Sequence, residues 1–330
     1  MVKLQRALWA CLLVIFVGAG SLLSVAQDAL AQPYPVKPIR IIVPAGAGGI
    51  TDLLARIVAQ KLGENLGQQV VVDNRAGASG IVGSEIVAKA PPDGYLLLMV
   101  YPSHAANPGL FAKIPYDTVN DFAPVTMVSG VHLVLTVTNS LPAKSVKEII
   151  ALAKNKPGAL NYGSTGTGSL GHLAAELFRS MSGAQITHVP YKGAPQVITA
   201  LISGEVGLFF DPPITSVPQV KAGKTRALGV TTTKRLAVLP DVPTIAEAGV
   251  PGFEVIGWNG ILAPAATPKP IIDKLNTEIV KVLRSPDIIE RFTQNGAVII
   301  GNTPAEFAAI VKADVAKWTK VIQSAGIRPE

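Results

Sequence analysis

Two glycine-rich segments carry the clearest chemical signal in this chain. Pro44-Ala45-Gly46-Ala47-Gly48-Gly49-Ile50-Thr51-Asp52 follows the β-branched run Ile39–Val43 and precedes an apolar pattern of helical spacing at Leu54, Ile57, Val58 and Leu62. Gly163-Ser164-Thr165-Gly166-Thr167-Gly168-Ser169 has the same setting, between strand-like Ala159–Tyr162 and helix-like Leu170–Met181. Glycines let several N–H groups turn toward one point, and the following helix adds the positive end of its dipole. Such a loop binds an anion, and Ser or Thr hydroxyls add donors. One loop alone reads as a tight turn. Two in matching contexts read as the two ends of one site, because ligands of α/β sheets sit beyond the carboxyl ends of the strands. Neither loop contains Lys or Arg, and neither ends in the Gly-Lys-Ser/Thr of a phosphate-binding loop. A carboxylate, satisfied by a few neutral donors, fits best. The expected ligand-binding residues are therefore Ala45, Gly46, Ala47, Gly48, Gly49, Ile50 and Thr51 in the first loop. In the second they are Ser164, Thr165, Gly166, Thr167 and Gly168.

Further polar residues fall at the same sheet edge. Asp211, in Phe209-Phe210-Asp211-Pro212-Pro213, ends an apolar strand. It either accepts a bond from a ligand hydroxyl or amine, or caps the turn before proline. Ser103 and His104 follow the strand Leu96–Val100 and are plausible cleft residues, and His188 closes the strand Gln185–His188. Asp73-Asn74-Arg75-Ala76-Gly77 reads as a structural turn. No Gly-x-Ser-x-Gly elbow occurs, and the histidines 104, 132, 172 and 188 include no pair at metal-ligand spacing. No catalytic residue, metal site or cofactor is expected.

These residues need a scaffold, and the pattern supplies one. Strand-like and helix-like segments alternate through Ile39–Val43, Asp52–Leu66, Val70–Val72, Ile81–Lys89 and Leu96–Val100. That order predicts a parallel sheet covered by helices. The theme repeats from Leu133 to Thr231, and the last third reads as mainly helical. Pro268–Leu283 forms one helix there. Thr303-Pro304 with Glu306 starts another as a capping box, and that helix stops at Gly326.

Lys3 and Arg6, the apolar run Ala7–Val25 and the small-residue site Ala29-Leu30-Ala31 predict a secretory signal cleaved after Ala31. The sole cysteine, Cys11, lies inside that leader, so the mature chain has no thiol for a disulfide, a lipid anchor or a thiolate metal site. The mature chain keeps 27 basic and 21 acidic residues, a formal charge of +6. The charge is spread out without interleaved aromatics, which argues against nucleic acid as a partner.

Several stretches together resemble the Bug family, the extracytoplasmic receptors of tripartite tricarboxylate transporters. They are residues 35–52, Asp73-Asn74-Arg75-Ala76-Gly77, Ala90-Pro91-Pro92-Asp93-Gly94-Tyr95 and Tyr116-Asp117 with Asp121-Phe122-Ala123-Pro124-Val125. Asn161-Tyr162-Gly163-Ser164, His188-Val189-Pro190-Tyr191-Lys192-Gly193, Val242-Pro243-Thr244 and Gly260-Ile261-Leu262-Ala263-Pro264 follow in order. The resemblance implies a type II periplasmic binding protein: two α/β lobes with a ligand cleft between them. It implies binding of a small organic carboxylate, a dicarboxylate or an aromatic acid, and delivery to a transmembrane permease. It assigns one carboxylate to Ala45–Thr51, the far end to Ser164–Ser169, and a polar substituent to Asp211. The family often has an aromatic residue where this chain has Ala45, which implies a wider pocket, and Pro212-Pro213 stiffens the segment after Asp211. The expected organisation is a signal at 1–31, one lobe from 32–133 and 257–330, and a second from 134–256, in a monomer free in the periplasm. Two other readings use the same residues: a ligand-sensing subunit for a membrane sensor kinase, and an exported carboxylate-processing enzyme.

Overall fold

A computed structural model describes residues 34–191, 193–294 and 297–328. The expected signal and its cleavage site lie outside the described residues, as does Lys192. No helix among the described residues is long and apolar enough to cross a membrane.

The chain begins with β1 (Ile39–Val43), α1 (Ile50–Leu66), β2 (Val70–Asn74), α2 (Ile81–Ala88), β3 (Leu96–Val100), α3 (Ser103–Leu110) and β4 (Phe122–Val131). It continues through β5 (Val134–Thr138), α4 (Val146–Asn155), β6 (Leu160–Ser164), α5 (Leu170–Ser182), β7 (Ile186–Pro190), α6 (Ala194–Ser203), β8 (Leu208–Asp211), α7 (Pro213–Lys221) and β9 (Thr225–Val230). The last elements are β10 (Gly257–Pro264), α8 (Lys269–Leu283), α9 (Pro286–Gln294), β11 (Val298–Ile299) and α10 (Pro304–Ala325).

The strands form two sheets, a six-stranded one ordered β11-β4-β10-β3-β1-β2 and a five-stranded one ordered β7-β6-β8-β5-β9. Each contains the same arrangement. In the first, β1 pairs in parallel with β2 and β3, and β10 is inserted antiparallel between β3 and β4. In the second, β6 pairs in parallel with β7 and β8, and β5 is inserted antiparallel between β8 and β9. Each inserted strand is the first one the chain lays down on arriving from the other sheet. Both sheets are therefore mixed, not purely parallel as the alternation predicted, because the crossing strand arrives from the opposite edge. The chain crosses between β4 and β5 and returns between β9 and β10.

The largest apolar cluster runs through both sheets, with Leu98 and Val100 of β3, Leu135 and Val137 of β5, and Trp318 and Ile322 of α10. A second cluster packs α1 and α8 on the other face of the first sheet, through Leu54, Val58, Leu275 and Ile279. The helices end where the chain offers left-handed glycines: α1 at Gly67, α5 at Gly183 and α10 at Gly326.

Candidate functional site

The equivalence of the sheets places equivalent loops at one cleft. A cavity of about 480 Å³ lies between them. In the first sheet, the loop after β1 reaches it through Ile50 and Thr51, the loop after β2 through Ser79, and the loop after β3 through Tyr101, Pro102 and Ser103. In the second sheet, Thr165 to Gly171 follow β6, Ala194 follows β7, and Phe209, Phe210, Pro212 and Thr215 end or follow β8. Val131 and Leu133 of the outgoing crossing and Asn259 of β10 complete the wall.

Two helix N-termini open on this space. The first backbone bond of α1 runs from Leu53 N–H to the Gly49 carbonyl, and that of α5 from Leu173 N–H to the Ser169 carbonyl. The N–H groups of Ile50 and Thr51, and of Leu170 and Gly171, come before those first bonds, and these four residues line the cavity. Each helix thus offers N–H donors and the positive end of its dipole to the same space.

Both loops are fixed from behind. In the first, Gly48 (φ +85°) turns its N–H to Asp52 Oδ2 at 2.9 Å, and Asn74 Nδ2 donates to the Ala45 carbonyl at 3.1 Å. Arg56 bridges Asp52 and Asn74. Burial pushes the Asp52 carboxyl up, but the bonds from Arg56, Gly48 N–H and Asn74 outweigh it and hold its pKa below the usual range. In the second loop, Ser164 Oγ lies 2.6 Å from His188 Nε2 and accepts from Gly166 N–H at 3.1 Å. Gly168 N–H donates to His172 Nδ1 at 2.9 Å, and the His172 and His188 rings stack with centroids 3.9 Å apart. Burial, with the neighbouring His188 and Arg179, depresses the His172 pKa to about 3. A neutral imidazole is what the Gly168 N–H requires as its acceptor.

The expected site residues therefore fall in two positions. Ile50, Thr51, Ser103, Thr165, Gly166, Thr167 and Gly168 line the cavity. Ala45, Gly46, Ala47, Gly48 and Gly49 form the turn leading into α1, while Ser164, His188 and Asp211 stand outside the cavity lining. Asp211 is 1% exposed, between the lining residues Phe210 and Pro212, and its Oδ1 has no hydrogen-bond partner. Burial raises its pKa to about 7, against a hydrogen bond from Thr215 that pulls it down. His104 is not a cleft residue. It is buried between Tyr116 and Phe122, and burial lowers its pKa to about 4.

Sequence reasoning missed Asn259 and Ser79. The Thr51 hydroxyl donates to Asn259 Oδ1 at 2.8 Å, and Asn259 Nδ2 donates to Ser129 Oγ at 3.3 Å, so a buried relay orients the first end of the cavity. Ala78 and Ser79 both adopt positive φ, and Ser103 Oγ and Asn107 Nδ2 hold the Ser79 carbonyl at 3.0 and 3.1 Å. Consecutive non-glycine residues in this region mark a strained loop held by its surroundings. Asn259 gave no signal because it sits in an otherwise apolar strand. Ser79, between Ala78 and Gly80, belongs to none of the motifs in the sequence.

Two α/β sheets joined by two crossings, with paired loops meeting in one cleft, define a periplasmic solute-binding fold. The chain belongs to the tripartite tricarboxylate transporter family receptors, whose profile matches residues 54–327. BugT of Bordetella pertussis is 36% identical over 306 residues, covering 92% of this chain and 94% of BugT. A solved R. palustris protein with adipate is 42% identical with a TM-score of 0.76, covering 90% of this chain and 100% of that one. MatC from Rhodopseudomonas palustris, solved with bound malate, is 32% identical with a TM-score of 0.74, covering 88% of this chain and 100% of that one. The family is one of receptors, not enzymes, and it acts in the periplasm.

Proposed function

We propose that this receptor is cleaved after Ala31, acts as a monomer in the periplasm, and captures a small organic dicarboxylate for delivery to the permease subunits of a tripartite transporter. The observation that carries the reading is the pair of helix N-termini, one from each sheet, facing one cavity. One carboxylate meets the N–H groups of Ile50 and Thr51, and the other meets those of Leu170 and Gly171 with the hydroxyls of Thr165 and Thr167. Relatives solved with adipate and with malate support a diacid as the class. Residues 32–133 with 257–330 form one lobe and 134–256 the other, and ligand contacts in both favour closure about the two crossings. Delivery then needs no bond to be made or broken: the permease reads the closed form.

The test is a thermal-shift screen of purified mature protein against mono-, di- and tricarboxylates, followed by mass analysis of the incubated ligands. The reading expects stabilisation by diacids, with each ligand recovered unchanged. Turnover at catalytic stoichiometry would establish the enzyme reading instead. Intact mass should place the mature N-terminus at Gln32.

A further inference from the structure

The cavity wall is mostly apolar. It is built largely from Val131, Leu133, Leu170, Phe209, Phe210 and Pro212, and the hydroxyls of the lining residues Tyr101 and Thr215 are turned to the Pro44 and Pro212 carbonyls. The acid best placed by sequence to meet a ligand hydroxyl, Asp211, is 1% exposed behind Phe210 and Pro212. The Ser103 hydroxyl already donates to the Ser79 carbonyl at 3.0 Å, and the Thr51 hydroxyl to Asn259 at 2.8 Å. At about 480 Å³ the space is also generous for a four-carbon diacid.

We infer, resting on the dicarboxylate reading above, that this receptor selects diacids with an unsubstituted apolar spine of about six carbons or a ring, and discriminates against hydroxylated four-carbon diacids. A hydroxyl on the spine would face a mostly apolar wall whose own hydroxyls already donate elsewhere, so its acceptor capacity would go unmet. Burying it unpaired weakens binding roughly ten- to a hundredfold. Each methylene added to the spine gains about fourfold when it is taken from water against Leu133 and Phe209. Selection is thus made by the wall between the lobes, while the loops fix only the two charged ends.

Calorimetric titration with succinate, adipate and malate tests this. The expected order of affinity is adipate, then succinate about tenfold weaker, then malate at least tenfold weaker again. Val131→Thr, a near-isosteric change that puts a hydroxyl on the wall, should narrow the succinate-to-malate ratio at least threefold. Asp211→Asn should leave that ratio within twofold. Malate binding as tightly as succinate, or losing affinity selectively in Asp211→Asn, would overturn the inference while leaving the dicarboxylate reading intact. A folded protein that binds none of the three would defeat both.

Discussion

Asp211 is a carboxyl held where charge is costly. Its native pKa of about 7 stands above the ordinary aspartate value, because burial outweighs the bond from Thr215. The native state therefore holds this proton more tightly than the unfolded chain. Asp211 costs no stability below about pH 4, and a growing amount as pH rises through 7, on the order of 4 kcal/mol once fully charged. Asp211→Asn should raise the melting temperature more at pH 8 than at pH 5; an equal change at both values would show that the carboxyl is not desolvated. Gly168 poses the opposite constraint. Its φ is +79°, and a β-carbon there would lie 2.7 Å from Leu110 Cδ1. Gly168→Val should abolish diacid binding while the circular dichroism spectrum keeps its α/β character. Retained affinity would remove the second loop from the site. The placement of Asp211 at a sheet edge was legible in Phe-Phe-Asp-Pro-Pro; its burial was not, since that depends on how β5 pairs with β8 and how Pro212 turns the chain.

At the level of elements, local signals were legible wherever a cap or a period existed. The capping box of α10 forms as its spacing indicates: Thr303 Oγ accepts from Glu306 N–H and the Glu306 carboxylate accepts from Thr303 N–H. Thr303→Ala should cost about 1 kcal/mol, read from urea unfolding. No loss would mean that packing of Phe307 and Val311 alone fixes the helix start. Three elements that serve the site were not legible. β10 is buried along all eight residues, so it lacks the alternation that marks a half-exposed strand, and its two glycines are weak strand formers. β4, ten residues long, carries Pro124 and interrupts the same signal. α3 contains Pro108 and Gly109 and is held by its packing on α10 rather than by propensity, with Gly109 meeting Thr319 closely. All three bear on the site: β10 brings Asn259, β4 leads into Val131, and α3 places Ser103.

For the whole molecule, buried titratable groups set how stability depends on pH. His104, His132 and His172 are all depressed by burial, the first to about 4 and the last to about 3. As pH falls below about 6.5 the unfolded chain takes protons that the native state refuses, so stability is lost with acid. Asp211 and Asp314, both raised by burial, oppose this. His104 and His172 outnumber Asp211 here, and the urea midpoint should fall from pH 6.5 to pH 5, with net uptake on unfolding reaching about one proton near pH 5, roughly 1.4 kcal/mol per pH unit there. A flat profile would contradict the buried, neutral histidines. Protonation of His172, near pH 3, would also remove the acceptor of Gly168 N–H. The two-sheet plan was legible from the repeated strand-glycine-helix pattern. Crossings near 133 and 257 were expected from the sequence; the antiparallel insertion of β5 and β10 was not legible, because their pairing partners lie about 70 to 165 residues away.

The central claim is that two helix N-termini hold the two ends of one ligand. Titration with adipate and with hexanoate, equal in carbon count but lacking one carboxylate, tests it most directly. The account predicts one-to-one adipate binding and at least a hundredfold loss for hexanoate, since the bonds to one charged end vanish. Equal affinity for the two acids would contradict it.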